Sequence, residues 1–194
     1  MPRFKRNERI NEITDLQNFI DSWANPDSER NKNDVVIYKT EFGNINSTGE
    51  IGNYEGYALT KNHDQFLMSI EEGIRELVVL LIEKFNLITY TSCEGHFYKT
   101  SNISPVERHV GFIIPEKEGQ NVLEKLQAAA DKVNDGNFIS AVKIVIRNEK
   151  ILSSGKWADT TEIFFAKRRA FFWSSYFDKL DTVYHKFLIT LKNT

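Results

Sequence analysis

Cysteine is almost absent from this chain: Cys93 is the only one in 194 residues. A lone thiol cannot close an intrachain disulfide, which argues against the small disulfide-stapled secreted class and fits a reducing cytoplasm. Long apolar runs are missing too. The longest, Leu77 to Ile82, is six residues, against the roughly 20 that a membrane-spanning helix needs. The segment from Met1 to Arg9 is basic and lacks the apolar stretch of a signal peptide. No charge sign dominates: 25 Lys and Arg stand against 27 Asp and Glu, a formal net charge of −2, so no global field drives the chain onto nucleic acid. No phosphate loop, dinucleotide fingerprint or Ser-His-Asp elbow is present, and there is no repeat and no linker-like boundary. These absences leave a single cytoplasmic domain over residues 1–194, with no membrane partner.

What is present suits a packed core. With 41% hydrophobic residues, a chain of this size buries roughly 70% of the surface its unfolded form exposes. Spacings of three and four from Ile10 through Ile13, Leu16, Phe19 and Ile20 to Trp23 predict a helix over 8–23, preceded by a mobile basic end at 1–8. Asp34 to Thr40 reads as a strand. Residues 41–62, broken by Gly43, Gly49, Gly52 and Gly56, read as a long polar loop with a short strand near Tyr57 to Leu59. A helix is predicted over 65–85, stopped at Asn86, and on it the pair Glu71 and Glu72 reads as a solvated face. A strand over 87–92 and another over 109–114 follow, then a helix over 116–133. Strands over 141–146, with Phe138 and Ile139 as an extension, and over 160–166 make an antiparallel hairpin with a wide tip at 153–159. A long aromatic helix over 169–192 closes the chain, its rings assigned to the core. The order predicts an α+β fold, one mixed sheet with helices packed on it.

The densest group of reactive residues is Thr91-Ser92-Cys93-Glu94-Gly95-His96, where a buried strand leaves the sheet. Three chemistries fit it. Cys93 can be a nucleophile with His96 as its base and Glu94 as a further catalytic carboxylate, provided the turn folds His96 back onto the thiol. Cys93 and His96 can bind a metal, zinc by ligand type, with His109 or His63 as the third ligand. Or the turn at Gly95, with the hydroxyls of Thr91 and Ser92 and with His109 facing the same loop, can bind a small ligand through its backbone N–H groups. The structural alternative is a buried thiol that only packs. Elsewhere, His185 reads as partly buried structure. Trp157, between Lys156 and Ala158 and near Asp159, is a stacking or partner-docking candidate. Arg3, Lys5, Arg6 and Arg9, and Lys167-Arg168-Arg169, read as solvated patches.

The stretch Ile70 to Val78 followed by Thr89 to His96 resembles the wybutosine-synthesising tRNA methyltransferase family, in which a helix leads into a strand ending in Ser-Ser-Cys-Ser-Gly-Arg. Ser92, Cys93 and Gly95 match that motif, and Thr91, Glu94 and His96 differ from it. The resemblance covers about a sixth of the chain and implies S-adenosylmethionine binding and methyl transfer to a modified guanosine in tRNA.

The leading expectation is a small enzyme acting on a nucleotide-like or other small polar substrate through the Cys93 and His96 loop. A methyltransferase-like protein is the second. A non-enzymatic subunit that docks a protein through its aromatic last helix and the Trp157 hairpin is the third.

Overall fold

The computed structural model describes residues 3–6, 11–40, 43–45, 55–98, 103–115 and 119–194. They form an α+β fold built on one mixed sheet of seven strands: β1 (Arg3–Arg6), β2 (Asn11–Ile13), β5 (Glu55–Tyr57), β6 (Ile88–Cys93), β7 (His109–Ile113), β8 (Val142–Ser153) and β9 (Lys156–Lys167). The spatial order is β5-β1-β2-β8-β9-β7-β6, and β3 (Tyr38–Thr40) with β4 (Gly43–Ile45) makes a separate two-stranded ladder. Every pairing is antiparallel except β2 with β8. Helix α3 (Glu72–Phe85) packs on β6 and β7. Helices α4 (Gly119–Asp135) and α5 (Trp173–Lys192) pack on β8 and on each other, and α5 reaches β9. Among the described residues no helix is long and apolar enough to cross a membrane.

The central hairpin is tighter and longer than its sequence suggests. Pairing between β8 and β9 continues out to Ser153 opposite Lys156, so the tip is Ser154-Gly155 alone rather than a wide loop. Both tip residues have positive φ, 48° and 76°, the backbone of a two-residue turn whose twist matches that of the strands. Phe138 and Ile139 lie outside β8 and are exposed. Asn134 at the end of α4 accepts the N–H of Ile144 (2.9 Å) and donates to its carbonyl (2.8 Å). One side chain thus satisfies both polar groups of a strand residue on the edge away from β9.

The N-terminal region departs most from the periodicity. Residues Asn11–Ile13 are strand, not helix, and α1 begins only at Leu16, running to Ala24. Asp15 caps it by accepting the Asn18 N–H. The hairpin tip holds the chain ahead of the cap, with Ser153 Oγ accepting the Leu16 N–H and Ser154 Oγ donating to the Thr14 carbonyl. Ile13 is fully buried in the strand, and a helix with this spacing would place it on the apolar face as well, so apolar spacing alone could not separate them. Arg3–Arg6 pairs with both β2 and β5, where a mobile end was expected. Half of the loop predicted over 41–62, and the predicted helix start at 116–118, lie outside the described residues.

The last helix starts at Trp173 rather than at 169 and packs into the core as its ring spacing predicts, except for Phe172 ahead of it, which is 82% exposed. Tyr176, Leu180, Val183, Tyr184, Phe187, Leu188 and Leu191 are buried on one face. The Tyr176 hydroxyl donates to the Phe165 carbonyl (2.7 Å) and accepts the Arg108 N–H (3.0 Å), tying α5 to the sheet. Tyr176→Phe strips both backbone groups of their partner. It is expected to cost about 2 kcal/mol, read as a lower urea midpoint with unchanged slope. An unchanged midpoint would show that these bonds contribute nothing net.

Candidate functional site

The predicted helix over 65–85 is two helices, α2 (Phe66–Ser69) and α3, separated by extended backbone at Ile70 (ψ 130°) and Glu71 (ψ 145°). Ile70 and Ile74 are both buried, so apolar spacing runs unbroken through the interruption. The break turns Glu71 away from the solvated face assigned to it: the residue is 8% exposed and faces the end of β6. There its Oε2 accepts the Glu94 N–H (2.8 Å). Glu94 reciprocates, its Oε2 accepting the Gly73 N–H in the first turn of α3 (2.8 Å), where a carboxylate also meets the favourable end of the helix dipole. A Cβ at Gly73 would lie 2.8 Å from that oxygen, so the clasp needs glycine there. Glu94 is therefore spoken for by the helix start, and the carboxylate that reaches the histidine belongs to Glu71.

His96 Nε2 lies 2.9 Å from Glu71 Oε1. The oxygen sits off the ring N–H axis, leaving Nε2 buried without an aligned hydrogen-bond partner. The contact is one of opposed charges. Gly95, at φ +89°, makes the reversal that brings His96 back beside the thiol. Exchange of N–H and C=O between His96 and Val106, both at 3.0 Å, pins the far side of the turn. Donor atoms of Glu71, Cys93 and His96 all fall within 4.8 Å of one another. Gly43 of β4 backs this group. A Cβ built there would stand 3.1 Å from Glu71 Oε1 and 3.5 Å from His96 Nε2. Beneath the loop the buried Arg108 donates from Nε to the Glu94 carbonyl (2.7 Å) and from Nη2 to Asp181 (2.9 Å), with its guanidinium 4.6 Å from the Tyr184 ring centre.

Burial works against the charged His96 ring, but hydrogen bonding to Cys93 and Glu71 and electrostatic attraction to both side chains outweigh it and raise its pKa from 6.5 to about 10. The imidazole is thus protonated at neutral pH between a carboxylate and the sulfur.

The other expected site residues fall elsewhere. His109 stands beside Cys93 in the β6 and β7 ladder but is outside the three-residue group. Its Nδ1 pairs with the Glu107 carbonyl (2.9 Å) and its ring stacks on Phe164, so the third metal-ligand candidate at the site is Glu71 rather than His109. His63, the other alternative, pairs through Nε2 with the Asn33 carbonyl and accepts the Gln65 N–H at Nδ1. Thr91 and Ser92 are half-buried strand residues. The N–H groups of Glu94, Gly95 and His96 are engaged by Glu71, by the Cys93 sulfur (3.4 Å) and by Val106. The turn therefore does not aim them together at an anion. His185 is exposed rather than partly buried, and Trp157 is 55% exposed. Sequence reasoning missed Glu71 and Arg108. The one local hint for Glu71 is a glycine two residues on, inside an otherwise good helix former.

No protein-family model, curated protein or solved structure matches this chain, and none bears on the methyltransferase resemblance. The site's own geometry carries the functional reading.

Proposed function

We propose that this protein is a cysteine-dependent enzyme of covalent catalysis, with Cys93 as nucleophile, His96 as general acid and base, and Glu71 as the positioning carboxylate. The observation that carries the reading is the buried Glu71 and His96 pair at 2.9 Å, set beside the only thiol of the chain. A nucleophile, a base within reach and a third group orienting the base is the arrangement that acyl transfer requires. The Gly95 N–H donates to Sγ (3.4 Å), which holds the sulfur at the turn beside His96.

The substrate class is a small polar, nucleotide-like molecule with an electrophilic carbonyl carbon. Cys93, as thiolate, attacks that carbon, forming the C–S bond as the carbonyl π pair moves to oxygen. When the carbonyl re-forms, the bond to the leaving group breaks, and the His96 imidazolium gives its proton to the departing atom. Water then yields a proton to His96 and attacks the thioester. The C–S bond breaks, the acid product leaves, and thiolate and imidazolium are restored. Tyr98, stacked on His96 at 6.0 Å between ring centres, offers a flat ring beside the site.

Alkylation by iodoacetamide tests the nucleophile without knowledge of the substrate. Cys93 should be modified once per chain at neutral pH, and His96→Asn should slow modification about 100-fold, the lower end of what a positioned acid or base contributes. Equal rates in the two proteins would remove His96 from the mechanism. The interaction reading keeps one observation in its favour, the exposed Trp157 ring. It stands instead if Cys93→Ala and His96→Ala leave biological activity intact while Trp157→Ala abolishes it.

A further inference from the structure

We propose that Glu71, Cys93 and His96 together form a binding site for one zinc-class metal ion, and that the ion masks the thiol when bound. The masking half rests on Cys93 being the nucleophile proposed above; the coordination half stands on the donor set alone.

Sulfur, imidazole nitrogen and carboxylate oxygen make a soft and borderline set that suits zinc and its first-row neighbours, and does not suit magnesium or calcium. Metal bonds of about 2.0–2.3 Å in a tetrahedron place ligand atoms roughly 3.3–3.6 Å apart. The three donors here already lie within 4.8 Å of one another. His96 Nε2 and Glu71 Oε1, at 2.9 Å, need to open by only a few tenths of an ångström.

The ligands come pre-oriented from two elements distant in sequence. Glu71 is held by the Glu94 N–H at its other oxygen, and Cys93 by the Gly95 N–H at sulfur. Such supporting bonds fix ligand geometry and moderate the charge on the donors. Nε2 is buried with no aligned hydrogen-bond partner, which leaves it available as a ligand once deprotonated. The side chains of His96 and Glu71 are only 11% and 9% exposed. A thiolate and a carboxylate in such a place balance a divalent ion, which removes most of the penalty for burying charge. Three protein ligands also leave a fourth position open, unlike the closed four-ligand sites of structural zinc. Sulfur engaged in a metal bond cannot attack carbon, so occupancy and covalent catalysis exclude each other.

The full chain, stripped with a chelator, is titrated with zinc sulfate by calorimetry and with cobalt chloride by absorption. The expected result is one ion per chain and a thiolate-to-cobalt charge-transfer band that Cys93→Ser lacks. Glu71→Gln should weaken zinc binding by more than the roughly 10–100-fold that loss of an outer-shell partner costs, while His109→Gln should bind as the parent does. Zinc should slow iodoacetamide modification of Cys93 in the unaltered chain in proportion to occupancy, a measurement that needs no variant to fold. Absence of zinc binding in the millimolar range, or binding indifferent to Cys93→Ser and Glu71→Gln, overturns the site. Zinc binding to a chain whose free thiol resists alkylation upholds the coordination and overturns the masking, because the nucleophile reading then fails. A reactive thiol that zinc never protects does the reverse.

Discussion

Glu71→Gln is expected to destabilise the metal-free chain by about 3 kcal/mol near neutral pH, the low end of what loss of one member of a buried ion pair costs. The carboxylate meets two partners at once, the Glu94 N–H at Oε2 and the charged His96 ring at Oε1. An amide has one oxygen for the two. If that oxygen keeps the Glu94 N–H, the NH₂ group points its own donors at a ring that carries a proton. The variant must then either leave the imidazolium buried and unpaired or give up its proton. For a domain of this length the loss corresponds to a fall of roughly 6–12 °C in melting temperature.

The pH dependence separates this cause from general damage. The folded pKa of His96, about 10, lies above the ordinary 6.5. Between those values the folded chain holds a proton that the unfolded chain has released. The stabilisation is therefore fully present below about 6.5 and drains away as pH rises through about 10. Urea denaturation of the parent should show this decline, and Glu71→Gln should show a flatter profile, so the gap between them narrows toward pH about 10. A gap that stays constant with pH would place the damage elsewhere than in the His96 charge. Proton NMR of the His96 ring offers a second reading, with its titration moved down from about 10 toward 6.5 in the variant.

Gly111→Ala should cost still more, about 4 kcal/mol, through a purely steric route. The ladder between β6 and β7 shifts register between Thr89 and Thr91, and the side chains of Tyr90 and Thr91 both come to lie against Gly111. A Cβ there would stand 2.6 Å from Thr91 Cγ2, 2.7 Å from Tyr90 Cζ and 2.8 Å from its hydroxyl oxygen. The ring crosses this bare backbone so that its hydroxyl reaches Thr160 Oγ1 (3.2 Å) and Glu162 Oε1 (3.1 Å) on β9, and Glu162 is 1% exposed. One added methyl thus brings overpacking of about 1–3 kcal/mol and disturbs buried hydrogen bonds worth about 1–3 kcal/mol more. A double-mutant cycle with Tyr90→Ala should reveal coupling, because removal of the ring relieves the contacts at 2.7 and 2.8 Å and leaves only the one with Thr91 Cγ2. Additive losses would show that the ring does not hold Gly111 to glycine.

Much of the architecture could be read along the chain. The strand ending at Cys93, the stop of α3 at Asn86 in the left-handed conformation and the buried aromatic face of α5 all follow from local spacing and capping. The gathering of reactive side chains from Cys93 to His96 is visible in the sequence as well. The failures share a cause. Residues 11–13 of the helix predicted over 8–23 are strand β2 instead, because pairing with β8 and the grip of the hairpin tip override a spacing that two conformations satisfy equally well. The hairpin tip looked wide because its outer residues are polar, yet the backbone ladder does not depend on side-chain polarity.

Local patterning determined the α+β class, the order of the main elements and the thiol-bearing turn, since these depend on side-chain periodicity over ten to twenty residues. Only the tertiary structure decided which acid serves His96. Whether a carboxylate points into solvent or into the protein is a balance between its desolvation and the partners waiting inside. The partners of Glu71, the N–H of Glu94 and the ring of His96, sit on a strand end more than twenty residues away. No spacing rule within one helix could report them.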